Sequence, residues 1–306
     1  MRATKFFLSI NYTLLVSLLI FTNCTPNEKQ ADSSEADKWT SLWNGKDFID
    51  WVKFLARPHH DIDFPGLERG EDGKYVGRVG LNNDPLDIFS VVQEDGEPAI
   101  RVSGEVFGTI STVETFENYH LKLQFKWGTQ KHPPRANAVR DSGLLYHCFG
   151  GPGSTGGAWP NCQEFQIQER DLGDFWAVGD SVKMDAPTIK VDTLLHQYDP
   201  DGEMRSFFHQ HQPKQYTDVR IIKLMDNEKN NGEWNNLDLI CYGDSSIFVV
   251  NGEVVNRLYN SKRRSENGYI KLSSGNISLQ SEGAELYYRK IFLRKIAAIP
   301  KKYQMP

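Results

Sequence analysis

The chain has 306 residues, with 35 Lys and Arg against 40 Asp and Glu and a formal net charge of −5. It carries no extended basic stripe, which argues against a nucleic-acid partner. Aromatic residues make up 12% of it, enough both for a core and for platforms on which sugar rings stack.

In chain order, the first element is an export signal. Arg2 and Lys5 precede an apolar run, Leu14 to Phe21, that is too short to cross a bilayer as a stop-transfer helix. The run ends at Cys24, and Leu19-Ile20-Phe21-Thr22-Asn23-Cys24 resembles a bacterial lipoprotein box, with Phe21 and Asn23 as unusual occupants. The expected organisation is a signal peptide over 1–23, a polar lipidated tether over 24–37 starting at Cys24, and a single domain over 38–306. This implies export, with the chain held by lipid on a membrane in the periplasm or at the cell surface. Ordinary secretion and an uncleaved anchor are the alternatives. Losing residues 1–23 removes Arg2 and Lys5, leaving 33 basic residues against 40 acidic ones, a net charge of −7.

The rest reads mostly as strands. Tyr119, Leu121, Leu123, Phe125 and Trp127 alternate with His120, Lys122, Gln124 and Lys126, the period-two mark of a strand with one apolar and one polar face. Further strands are expected at Phe89 to Val92, Ala99 to Val102, Gly108 to Val113, Gly143 to Cys148 and Glu164 to Gln168. Others follow at Asp218 to Leu224, Asp238 to Cys241, Ile247 to Val250, Gly268 to Leu272 and Ala284 to Leu293. Asn251-Gly252 between apolar runs predicts a tight hairpin, because both residues tolerate positive φ. No segment sustains a helical period. The pattern fits an all-β fold of two antiparallel sheets packed face to face.

Two long loops interrupt the strands. Residues 55–85 contain His59, His60, Asp61 and Asp63, which read either as metal ligands or as a charged surface loop. Residues 150–161 are rich in Gly and carry Trp159. Cys148 and Cys162 flank that loop and form the natural disulfide pair outside the cytosol, leaving Cys241 over; with His147 they are also conceivable metal ligands. Along Glu164 to Gln168, Glu164, Gln166 and Gln168 share one strand face, opposite Phe165 and Ile167. Beside a strand bearing Arg140, Asp141 and His147, this row suits a polyhydroxylated ligand such as a sugar. The alternative is a solvated sheet face.

Taken in order, these segments resemble the bacterial 3-keto-disaccharide hydrolase family, from about Trp39 to Lys295. The opening WTSLWNGKDFIDW is similar to the family's start through Leu42, Trp43, Asn44, Gly45, Lys46, Asp47 and Trp51. GTISTVETFENYHLKLQFKW and RDSGLLYH follow, with Asp141 where Asn is common and His147 where Arg is common. CQEFQIQE matches through Glu164, Gln166 and Ile167, and VVNGEVV matches the family's Asn-Gly turn. The last segment matches through Gly268, Ile270, Leu279, Gln280, Glu282, Gly283 and Arg289.

The resemblance implies a concanavalin-like jelly-roll β-sandwich acting on sugars oxidised to a ketone at C3. The ketone acidifies the C2 hydrogen, so that a base forms an enediolate and the C1 group leaves; water then completes a net hydrolysis. The carbohydrate would be the principal partner, with the membrane reached through the lipid anchor. Glu164 and His147 are the expected base and acid, in either order. Gln166 and Gln168 would hydrogen-bond hydroxyls, Arg140 or Lys126 would stabilise the enolate oxygen, and Asp141 would orient His147. Trp159 and Trp176 are candidate stacking platforms, and Gln280 and Glu282 would reach the same face. No cofactor is required, although a divalent metal held by His147 and Glu164 could serve as the electrophile. A lipid-tethered carbohydrate-binding module and an ordinary glycoside hydrolase are the alternatives.

Overall fold

The structure, a computed structural model, describes residues 38–179, 181–208 and 219–305. The expected signal peptide, the tether, Cys24 and the start of the strand expected at residue 218 lie outside the described residues. Those described fall in one compact unit spanning residues 34–306.

Alternating apolar residues build two antiparallel sheets that pack on each other as a β-sandwich. Among the described residues, the twelve-stranded sheet runs His196–Tyr198, Val182–Lys190, Glu253–Ser265, Ser245–Val250, Asn235–Tyr242, Tyr119–Lys131, Ala284–Lys295, Glu97–Val102 and Phe89–Glu94. Thr40–Ser41, Glu203–Phe208 and Gly268–Lys271 pair beside this path. The nine-stranded sheet runs Arg220–Ile221, Phe175–Val178, Asn161–Gln168, Asp141–Phe149, Ser274–Ser281, Gly108–Thr112, Trp51–Leu55 and Gly80–Leu81, with Phe116–Glu117 beside Ser274–Ser281. The expected hairpin is present. Val250 pairs with Glu253, and Asn251 and Gly252 between them have φ of 50° and 96°.

The core lies between the sheets. Leu121, Leu123, Phe125 and Trp127 enter it from the twelve-stranded sheet, and Leu144, Tyr146, Phe165 and Ile167 from the nine-stranded sheet. Phe165 stacks on Phe248 with ring centroids 4.3 Å apart and planes 10° from parallel, while Tyr146 meets Phe248 edge-on at 5.8 Å. Hydrogen bonds also join the layers, among them Tyr146 to Ser246 Oγ at 2.7 Å, Ser142 Oγ to the Tyr288 hydroxyl at 2.9 Å and Ser261 Oγ to Gln163 Oε1 at 2.8 Å. Buried hydroxyls need such partners, so these pairs fix how one sheet sits on the other.

Several strands were not expected from the sequence, among them Trp51–Leu55, Phe175–Val178, Val182–Lys190, Glu203–Phe208, Ser274–Ser281 and most of Glu253–Ser265. Glu253–Ser265 is 13 residues long, but a register shift opposite Phe248/Val249 breaks its alternation, and Lys262, Arg263 and Arg264 give its end no apolar face.

Phe248 touches Tyr146, Phe165 and Phe175. Phe248→Ala should therefore lower unfolding stability by about 3–5 kcal/mol, the usual cost of a buried aromatic-sized cavity. Urea titration followed by tryptophan fluorescence checks this; a loss below about 1 kcal/mol would contradict it.

Candidate functional site

The locking of Phe165 and Ile167 in the core turns Glu164 and Gln166 to the outer face of the nine-stranded sheet. Both are still nearly buried, at 6% and 7% exposure. Strand pairing supplies their neighbours. Gln166 pairs with Gly143, Glu164 pairs with Leu145 and Trp176, and Gln168 pairs with Asp141. On the far side of Asp141–Phe149, Leu279 pairs with Leu144, which brings Gln280 level with Gly143.

Gly143 makes this convergence possible. A Cβ there would collide with Glu164 Oε1 and stand 2.5 Å from Gln280 Oε1. A glycine inside a strand often marks such a close approach. Its absent side chain leaves the gap in which the Glu164 carboxyl and the Gln280 amide meet, and that amide favours the ionised carboxyl against its burial.

Two more carboxyls surround the gap. Asp141 is 4% exposed, accepts a 2.6 Å hydrogen bond from Gln168 Nε2 and pairs with Arg135 Nη2 at 2.7 Å. Glu282 lies 4.0 Å from Arg135 Nη1. Burial pushes the Asp141 carboxyl up to about 7, against the pull of Arg135 and Gln168. Burial, followed by the charges of Glu282 and Asp141, drives Glu164 well above the usual carboxylate range. Glu282 is likewise raised, by burial and by Asp141, with Arg135 opposing. Three carboxyls around one guanidinium cannot all ionise near neutral pH, so the group keeps at least one proton to share. Asp141 Oδ1, Gln166 Oε1, Gln280 Oε1 and Arg135 Nε are buried with no protein partner. Such atoms normally meet a ligand or water, and here they lie around one gap.

The Gly-rich loop of residues 150–160 crosses this face. It starts from Asp141–Phe149, yet Gly153 packs directly on Phe54, and Trp159 stacks on Phe107 at 5.9 Å. It therefore passes over the strands Ser274–Ser281 and Gly108–Thr112, which lie between. A cleft of about 570 Å³ opens at its edge, lined by Ala56, Arg57, Val76, Arg78, Phe107 and Ala158. A second cleft, of about 390 Å³, shares Arg57 and Phe107 and reaches Pro133 and Pro134, next to Arg135. Neither is lined by Glu164, Gln166 or Gln280, so the carboxyl group lies beside the open space and not on its walls.

Several expected partners fall elsewhere. His147 does not meet Glu164. Ser278 pairs with Leu145 but Asn276 with Cys148, and the bulge between them gives His147 a φ of 49° and turns it into the core. There its ring meets Tyr119 and Tyr146 edge-on, and its Nδ1 accepts a 3.3 Å hydrogen bond from Gln163. Burial lowers its pKa to about 3, so it is neutral; a metal shared by His147 and Glu164 would need them on one face, which they are not. For the same reason Asp141 cannot orient it. Lys126 is on the outer face of the other sheet, paired with Glu94 and with Asp95 at 2.8 Å. Arg140 is occupied by Glu169 at 3.3 Å and by the Gly128 carbonyl. Trp176 pairs with Glu164 in register and carries the Arg220 guanidinium over its ring at 5.5 Å.

Cys148 and Cys162 are free thiols, not the expected disulfide. They pack together with Leu145 and Val178, holding the loop ends by contact instead of a covalent bond. Arg135 was not singled out in the sequence, because its place in an irregular HPPR loop carries no periodic signal. Gly143 could have been found as a glycine inside an otherwise apolar strand.

A model of the 3-keto-alpha-glucoside-1,2-lyase-like domain matches residues 38–294. The chain belongs to this family. No curated protein matches it. Among solved structures, it is similar to a provisionally assigned glycosyl hydrolase from Parabacteroides distasonis, at 18% identity and TM-score 0.44, over 87% of this chain and 97% of that one. It is also similar to a carbohydrate-binding module from Bacillus subtilis, at 8% identity and TM-score 0.39, over 67% and 91%.

The titrations have opposite signs. Between about pH 4 and 7 folded Asp141 holds a proton that the unfolded chain has lost, so stability falls as pH rises, by up to about 1.4 kcal/mol per pH unit. Between about pH 3 and 6.5 unfolded His147 holds a proton that the folded chain refuses, so its contribution rises with pH. Asp141→Asn should therefore gain stability relative to the wild type as pH rises from 4 to 7. Thermal unfolding across that range checks it, and parallel curves would contradict it.

Proposed function

We propose that the protein cleaves 3-keto-glycosides by removing the C2 proton, with Glu164 as the base. The observation that carries this reading is the gap at Gly143, where Glu164 meets two further raised carboxyls and several unpartnered polar atoms. Membership of a family named for 3-keto-glucoside lyase chemistry supports it.

A C–H acid next to a ketone calls for a base with a high affinity for protons, and burial among like charges gives Glu164 one. In its ionised form Glu164 takes the C2 proton, and the electron pair moves through C2–C3 onto the C3 oxygen. The unpartnered Nε–H of Arg135 is a donor suited to that oxyanion. As the enediolate collapses, the C1–O bond breaks and the leaving oxygen takes a proton from the Asp141–Glu282 pair, which retains one. Water then adds at C1 and gives a proton to the Asp141–Glu282 pair, while C2 takes its proton back from Glu164, so that the net reaction is hydrolysis and both groups are restored. Gln166 and Gln280 offer amide oxygens to sugar hydroxyls. Glu164 is only 6% exposed, so substrate access requires a local opening of this face.

The test is chromogen release from a 3-keto-glucoside and from the matched unoxidised glucoside. Release from the keto form alone is expected, with Glu164→Gln losing about 10²-fold or more. Release from both would identify an ordinary glycosidase. Binding without release would identify a carbohydrate-binding module.

Gly143→Ala should separate function from folding. Its Cβ meets only side-chain ends, which can move aside, so the stability cost should be below about 1 kcal/mol. Displacing Glu164 and Gln280 should still cost about 10²-fold in turnover. Full activity in this variant, measured beside its melting curve, would contradict the assigned geometry.

A further inference from the structure

We propose that His59, His60 and Asp61 form a binding site for a divalent transition metal of the zinc class, at the rim of the cleft beside the carboxyl group. The Asp61 carboxylate lies between the two imidazoles, one oxygen toward each. Oδ2 is 3.5 Å from His59 Nδ1, and Oδ1 is 3.4 Å from His60 Nε2. A tetrahedral ion with bonds of about 2.0–2.1 Å places its ligand atoms roughly 3.3–3.5 Å apart, the separation that each imidazole here keeps from the carboxylate. One donor atom from each residue lies within 4.8 Å of the others. The imidazole rings are 4.0 Å apart and tilted by 35°.

The loop that presents these ligands is pinned from behind. Arg69 donates to the carbonyl of His60 at 2.7 Å and to that of Ile62 at 3.0 Å, and its guanidinium rests 4.1 Å over the buried Tyr75 ring. The Tyr75 hydroxyl donates to the Ile62 carbonyl at 2.8 Å. A fixed backbone lowers the entropic cost of gathering three ligands. A competing contact is the 3.3 Å hydrogen bond from the Asp61 amide to His59 Nδ1, which a metal on that nitrogen would displace.

Two imidazoles and a carboxylate suit zinc, cobalt, nickel or copper and discriminate against magnesium, which prefers oxygen donors and retains its waters. His59 and His60 also line the 390 Å³ cleft with Arg57, Glu105 and Phe107. The coordination positions left free would be open to that cleft. The site does not depend on the reaction proposed above.

The test uses purified protein without a polyhistidine tag, stripped with a chelator and titrated calorimetrically with zinc chloride. One zinc per chain is expected, with no heat from magnesium chloride. His60→Ala and Asp61→Asn should each weaken zinc by about tenfold or more, since even partners behind a ligand cost that much. Both side chains are half-exposed or more, so melting temperatures should be unchanged. Glu164→Gln controls for zinc captured by the buried carboxyls and should bind as the wild type does. Absence of zinc binding, binding indifferent to His60→Ala and Asp61→Asn, or binding lost in Glu164→Gln would each overturn the proposal.

Discussion

The stacking of Phe165 on Phe248 is the contact on which the site rests. A strand alternates, so committing Phe165 and Ile167 to the space between the sheets forces Glu164 and Gln166 outward. Neighbouring strands obey the same rule, and their outward residues at this level are Asp141, Gly143 and Gln280. A one-residue slip of Asn161–Gln168 would bury two amides and a carboxylate in the core and expose two large apolar side chains. The hydrophobic energy of the sandwich thus holds a set of polar groups in a place that they would not choose.

Asp141, Glu164 and Gln280 are nearly buried on that face, and burial is what shifts the two carboxyls among them. Water is largely excluded from Asp141, Glu164 and Gln280, and among the described residues Arg135 is the cation paired with Asp141 and Glu282. Dry surroundings raise all three carboxyls, and neighbouring negative charge adds to this, from Glu282 and Asp141 at Glu164, from Asp141 at Glu282 and from Asp171 at Asp141. The same physics yields a strong base while leaving a neighbouring acid protonated, the division of labour that the proposed elimination needs.

Much of this was legible in the sequence. The alternation at Tyr119 to Trp127 and at Glu164 to Gln168 gave the right faces, and the Asn251-Gly252 turn gave the right hairpin. Illegible features share a cause, which is departure from simple period. His147 follows Asp141, Gly143 and Leu145 by strict alternation and should face outward with them. One bulge turns it into the core instead. Lys126 was placed on the correct face of its own strand, but nothing local says which of two sheets that strand joins. Arg135 comes from an irregular loop, and its partners are distant in sequence.

The most direct measurement of the central claim removes cleavage from the question. A 3-keto sugar without a leaving group at C1 can still lose its C2 proton. Incubated in D₂O and followed by NMR, it should exchange that proton for deuterium faster with the wild-type protein than without. With Glu164→Gln the exchange should return to the background rate. Exchange that survives in Glu164→Gln, or none with the wild type, would contradict Glu164 as the base.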